Sequence, residues 1–156
     1  MTRLTNRSRR QRRGFSLIEL MTVMAVIGLL AALGLPRYRE MKRRAHSAAV
    51  VSDFNTVRIA SYNYFADNAT YPPDDAAGSA PPLLVPYLPQ GFQFSTSNYT
   101  LDYDVWPSPL NPTQLVVGVT VTSGDQELIN MIARNIRAGG IGLVNGSGFT
   151  YVFAGL

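Results

Sequence analysis

Glu19 is the side chain whose surroundings in the sequence suit it least. It lies one turn inside an apolar run from Phe15 to Leu35. A charge moved into hydrocarbon costs roughly 2.5–3.5 kcal/mol at mid-bilayer on insertion scales, and less near an end. A lone acid there needs an opposite charge or a place at the headgroups, to which it can snorkel. The other groups with ligand chemistry are also carboxylates. Asp102 and Asp104 alternate onto one face of a predicted strand, and Asp74-Asp75 sits in a proline-rich segment. Either pair offers the oxygen ligands that calcium takes, and acids in such places are more often simply solvated. No cofactor-binding motif is present and no cofactor is expected; Asp102 and Asp104 are only weak candidates for calcium. Catalytic constellations are missing. The chain has no cysteine, its one histidine (His46) lacks a paired serine and acid, and no phosphate-cradling glycine loop follows a strand. Asn68-Ala69-Thr70, Asn98-Tyr99-Thr100 and Asn145-Gly146-Ser147 fit the N-glycosylation pattern.

The element that holds Glu19 is a predicted membrane helix. The apolar run lasts about 21 residues, which at ~1.5 Å per residue covers the ~30 Å hydrocarbon core of a bilayer. Gly28, Ala31, Ala32 and Gly34 allow close approach of a second helix. Pro36 ends the run, and proline inside a helix removes one backbone bond and kinks it. Six arginines precede the run, and Arg37, Arg39, Lys42, Arg43 and Arg44 follow it, a solvated or headgroup-facing collar. A secretory signal peptide would have a shorter apolar region without an acid, although Ala32-Leu33-Gly34 could pass for its cleavage site. A plain signal anchor on an unrelated domain is the other alternative.

The sequence GFSLIEL, with glycine, aromatic, small residue, aliphatics and glutamate in that order, resembles the N-terminal signal of type IV pilins and type II secretion pseudopilins over about residues 9–45. The resemblance implies that a prepilin peptidase/N-methyltransferase cuts after Gly14 and methylates Phe15. It implies that Glu19, with Phe15, docks the subunit into a helical filament. Cleavage would leave an ammonium on Phe15, and Glu19 of one subunit could meet that of its neighbour, which fixes the axial stagger. The implied partners are identical or homologous pilin subunits, the peptidase, an inner-membrane assembly platform and the lipid bilayer. The implied location is the inner membrane, single-pass with the C-terminal domain periplasmic, then a pilus or a periplasmic pseudopilus. Pilins also carry a helix-bending proline at the place of Pro36.

The net charge of +4 belongs to the leader. Removing residues 1–14 takes six arginines and no acids, and from Ala45 onward only Arg58, Arg134 and Arg137 face eight acids. An acidic soluble part argues against nucleic-acid binding by bulk charge. Without cysteine, no disulfide can hold the C-terminal region.

The expected fold is α+β: a long N-terminal helix, transmembrane in its first half and kinked near Pro36, packed on a small antiparallel β-sheet with a short helix in the C-terminal region. The expected divisions are a cleaved leader (1–14), a transmembrane or filament-core helix (15–35), its soluble half (36–66) and a head domain (67–156). Val50, Phe54, Val57, Ser61 and Phe65, with Met41, Ala45 and Ala48 ahead of them, predict the buried stripe of the soluble half. Asn68–Pro89 reads as a proline-rich loop whose Leu83, Leu84, Val85, Tyr87 and Leu88 pack on the sheet. Three or four strands are predicted, at Phe92–Ser95, Tyr99–Val105, Gln114–Thr122 and Phe149–Phe153. A capping box at Ser123 and Gln126 opens a helix over Asp125–Arg137, ended by Gly139-Gly140. The glycines from Gly139 to Gly148 read as turns. The functional expectation is a structural subunit, not an enzyme. A minor pilin that captures DNA, a surface or a substrate at a filament tip is the alternative, and a signal-anchored enzyme a third.

Overall fold

A computed structural model of the chain describes residues 15–136 and 141–155. Helix α1 spans Leu17–Asn68, 52 residues that include Pro36, and the chain divides into two units between Arg39 and Glu40.

In the first unit, the described residues 15–39 are all exposed. Leucine, methionine and alanine are prominent, residues that lose little on entering a helix. A helix apolar on every side has no face to offer water and belongs in lipid or among other helices.

In the second unit, α1 buries Ser47, Val50, Phe54, Val57, Ala60, Ser61 and Tyr64. Steps of three and four place these on one face. The expected stripe errs at both ends, because Met41, Ala45, Ala48 and Phe65 are exposed. Alternating steps carry the face from Ser61 to Tyr64, and Phe65 lies one position past it. Phe65 instead stacks on Tyr71 of the following loop, with ring centroids 4.7 Å apart. Within that loop Leu84 is fully buried, a short 3-10 turn spans Val85–Tyr87, and Leu83 and Val85 face solvent. Tyr87 and Leu88 pack at the core's margin.

The sheet contains β1 (Thr100–Pro107), β2 (Leu115–Thr122), β3 (Ile141–Asn145) and β4 (Gly148–Ala154), all antiparallel in the order β1-β2-β4-β3. Helix α2 spans Gln126–Asn135. Leu101, Tyr103, Val117, Val119, Val121, Phe149, Tyr151 and Phe153 join the α1 stripe in one core with Leu128, Ile129 and Ile132 of α2. Phe54 lies at its centre, stacked 6.3 Å from Phe149 and 6.0 Å from Tyr151.

Two strand expectations need correction. Phe92–Ser95 makes only the bridge Ser95↔Thr100, with Leu101 N donating to Phe94 O at 2.7 Å. Thr96 Oγ1 accepts from the amides of Asn98 and Tyr99, and this local turn replaces a ladder. The remaining strand is β3, in the glycine-rich stretch read as turns. A Cβ at Gly142 would lie 2.7 Å from the Phe149 ring, so that glycine makes room for a core aromatic within a strand. Arg137, Gly139 and Gly140, the expected end of α2, lie outside the described residues.

Phe54 is 1% exposed, and truncating a buried phenylalanine typically costs about 3–5 kcal/mol. Phe54→Ala should therefore lower the head domain's unfolding free energy by that amount in urea titrations of the detergent-solubilised chain. A loss below about 1 kcal/mol would contradict the assigned core.

Candidate functional site

The N-terminal site forms around the first turn of α1. Leu20 N donates to Ser16 O at 3.2 Å, closing that turn, and Ser16 N donates to Glu19 Oε2 at 2.9 Å. Ser16 thus stands at the N-cap and Glu19 three positions on, in the reciprocal half of a capping box. The carboxylate satisfies an amide with no intrahelical partner and lies at the positive end of the helix dipole. The sequence expectation gives Glu19 an intermolecular partner. The structure adds a local one, and the Ser-x-x-Glu spacing that signals it is legible in residues 16–19. Among the described residues, Glu19 has no ion pair. One hydrogen bond leaves most of its negative charge uncompensated, on a helix surface that is otherwise apolar there.

The basic collar divides. Arg43 Nε donates to Asp125 Oδ2 at 2.8 Å, and Arg44 Nη2 to Glu40 Oε1 at 2.5 Å. Asp125 Oδ1 accepts from the amides of Glu127 and Leu128, so Asp125, not Ser123, caps α2. Arg43 beside it holds its carboxyl below the usual carboxylate range, and the cap amides reinforce this. Ser123 Oγ accepts from Asp125 N and donates to Asn98 O, which ties the β2–α2 connection to the preceding turn. Arg37, Arg39 and Lys42 form no ion pair among the described residues.

The head domain gathers a second group. Asp102 and Asp104 of β1 share a face, as their alternation predicts. Asp74 from the loop joins them, with one oxygen from each of the three within 4.8 Å of the others. Asp75 is not part of this group; its Oδ1 accepts from Ala76 N. Thr120 Oγ1 donates to Asp104 Oδ2 at 2.5 Å. Asp102 Oδ1 is buried with no hydrogen-bond partner. Burial, followed by the charges of Asp104 and Asp74, pushes the Asp102 carboxyl up to about 6. Burial also raises Asp104, against the opposing bond from Thr120.

Residues 9–35 match the family model described as the prokaryotic N-terminal methylation motif. Type II secretion system core protein G of Pseudomonas aeruginosa is 31% identical over 103 residues, which are 65% of this chain and 72% of the relative. The chain belongs to the family of type IV pilins and type II secretion pseudopilins. The corresponding core protein G of Escherichia coli is 34% identical over 89 residues, 53% of this chain and 61% of the relative. The type IV major pilin protein PilE1 of Neisseria gonorrhoeae is 36% identical over 70 residues, 45% of this chain and 33% of the pilin. This pilin-family chain therefore spans between a third and three-fifths of the length of those two relatives. No solved structure gives a significant match. The long apolar helix and the small antiparallel sheet are pilin-like, and family members are structural subunits rather than enzymes.

Asp102 binds its proton more tightly in the folded head than an ordinary aspartate, with a pKa near 3.9, does when unfolded. Folding therefore takes up a proton between about pH 7 and pH 4, and stability rises as pH falls through that window. Thermal melts should show this gain in the parent head domain. Asp102→Asn should raise stability at pH 7 and flatten the dependence; an unchanged pH profile in the variant would contradict the assignment.

Proposed function

We propose that the chain is a prepilin-type filament subunit that is cut after Gly14, methylated on the Phe15 amine, and assembled by pairing Glu19 with the Phe15 amine of a neighbouring subunit. Its action is assembly rather than turnover. The membrane stores subunits anchored by residues 15–35, and filament growth moves these helices from lipid into a shared core. What supports this is Glu19 itself, an acid with one local hydrogen bond and no ion pair among the described residues, on an uncovered apolar helix. Pairing across subunits removes the cost of that charge, and any other stagger leaves both charges unpaired. Pro36, which cannot donate to the carbonyl of Ala32, is where the helix can bend or loosen as it packs.

The orientation that fits is cytoplasmic for residues 1–14 and periplasmic for the head. The peptidase and an inner-membrane assembly platform are then the partners before incorporation, and like subunits the partners after it. If the head binds calcium, Asp74, Asp102 and Asp104 are the residues that would hold it. Their oxygens suit a hard cation, and Asp102 Oδ1 lacks a donor.

Intact mass of the membrane-extracted protein should show loss of residues 1–14 and gain of one methyl group. An unprocessed chain, or one cut near Gly34, would overturn the reading. Glu19→Gln keeps an acceptor for the Ser16 amide and removes the charge. Breaking a buried pair costs about 3–5 kcal/mol, so this variant should insert normally yet enter filaments at about a hundredth of the parent's level or less. Parental incorporation of Glu19→Gln would leave Glu19 a helix cap only.

A further inference from the structure

We propose that Arg37 and Arg39, which the helix turns toward opposite sides, each hold the headgroup of an anionic phospholipid and so keep the unassembled subunit in the outer leaflet of its membrane. The inference rests on the membrane reading given above and adds a lipid class to it. Four observations lead there.

Arg37 and Arg39 are exposed and form no ion pair among the described residues, whereas the next two arginines, Arg43 and Arg44, are engaged by Asp125 and Glu40. Of the collar's arginines, the two nearest the apolar run are thus left available, as is Lys42 one turn further on. They also lie at a defined depth. Twenty-one residues at ~1.5 Å each set Arg37 just beyond the ~30 Å hydrocarbon layer, at the phosphates. Tyr38 between them is 69% exposed, an amphipathic ring of the kind that settles at the membrane interface. Lastly, a prepilin-type orientation puts these arginines on the side where membrane proteins usually carry few. Guanidinium groups match phosphate oxygens bidentately, so a lipid phosphate supplies the missing partner. An anionic headgroup adds a net attraction that a zwitterionic one lacks. Residue 37 immediately follows the apolar run, which favours a lipid-borne phosphate over a free one. Filament entry would strip these lipids, making release from anionic lipid part of the assembly step.

The test uses the full chain reconstituted into vesicles of zwitterionic phospholipid doped with a photoactivatable phospholipid, either phosphatidylglycerol or phosphatidylcholine, with the reactive group in the headgroup or in the acyl chain. The anionic headgroup probe should label residues 37–39 on the order of tenfold more than its zwitterionic counterpart, and inorganic phosphate at millimolar concentration should not reduce this. Arg37→Gln/Arg39→Gln should lose the preference while both acyl-chain probes still label residues 17–35. Equal headgroup labelling by the two lipids would overturn the anionic-lipid preference and leave the membrane reading intact, since acyl-chain labelling persists. Competition by free phosphate would assign the site to a soluble anion and overturn it as well. Chemical cross-links from residues 37–39 to the Asp74, Asp102 and Asp104 region of a second copy, without lipid preference, would give the arginines to subunit contact instead. Failure of acyl-chain labelling at 17–35 would overturn the membrane reading itself.

Discussion

A single carboxylate on an apolar helix constrains everything this chain can do. Residues 15–35 offer neighbouring molecules a surface without charge except at Glu19. The Ser16 amide takes one of its oxygens, which starts the helix but does not neutralise it. Apolar contact between such helices gains little over contact with lipid, because lipid tails are as apolar as leucine side chains. A lone charge is different: in the proposed filament it would distinguish one stagger from all the others and give the helices a defined rise.

The head domain meets a different requirement, which is to bind the soluble half of α1 to a sheet without a disulfide. It does so with aromatic mass and a few cross-element polar ties. Phe54 stacks between Phe149 and Tyr151, Tyr62 donates to Phe153 O at 2.7 Å, Arg58 donates to the Tyr151 hydroxyl, and Tyr99 donates to Asp53. Asp125 joins two elements at once, capping α2 with one oxygen and holding Arg43 of α1 with the other. The carboxylate cluster of Asp74 with Asp102 and Asp104 of β1 opposes this order, because three acids sharing so small a volume favour holding a proton or a cation.

The sequence disclosed the parts governed by strong local physics. An apolar run long enough for a bilayer, an acid within it, and the valine-rich strand β2 were legible because local residue types alone set them. The Ser-x-x-Glu spacing of residues 16–19 is also in the sequence, but a local hydrogen bond and an intermolecular pair call on the same residue, and spacing does not rank them. Ser123 lost the α2 cap to Asp125 because Arg43, distant in sequence, helps to fix that carboxylate. Strand β3 was hidden because Gly142 looks like turn chemistry until Phe149 is seen to occupy the space a side chain would need. Asp74 could not be grouped with Asp102 and Asp104 from spacing, since the loop's path over the sheet is a tertiary fact.

The proposed pair joins Glu19 and the Phe15 amine on different chains, so their separation in the filament is the quantity to measure. Filaments would be grown from a mixture of subunits, half carrying a carbon-13 label in the Glu19 carboxyl and half a nitrogen-15 label in the Phe15 amine. Solid-state NMR would then seek magnetisation transfer between the labels, which can arise only between subunits. Transfer characteristic of a direct ion pair is the predicted result, and its absence in well-ordered filaments would contradict the account.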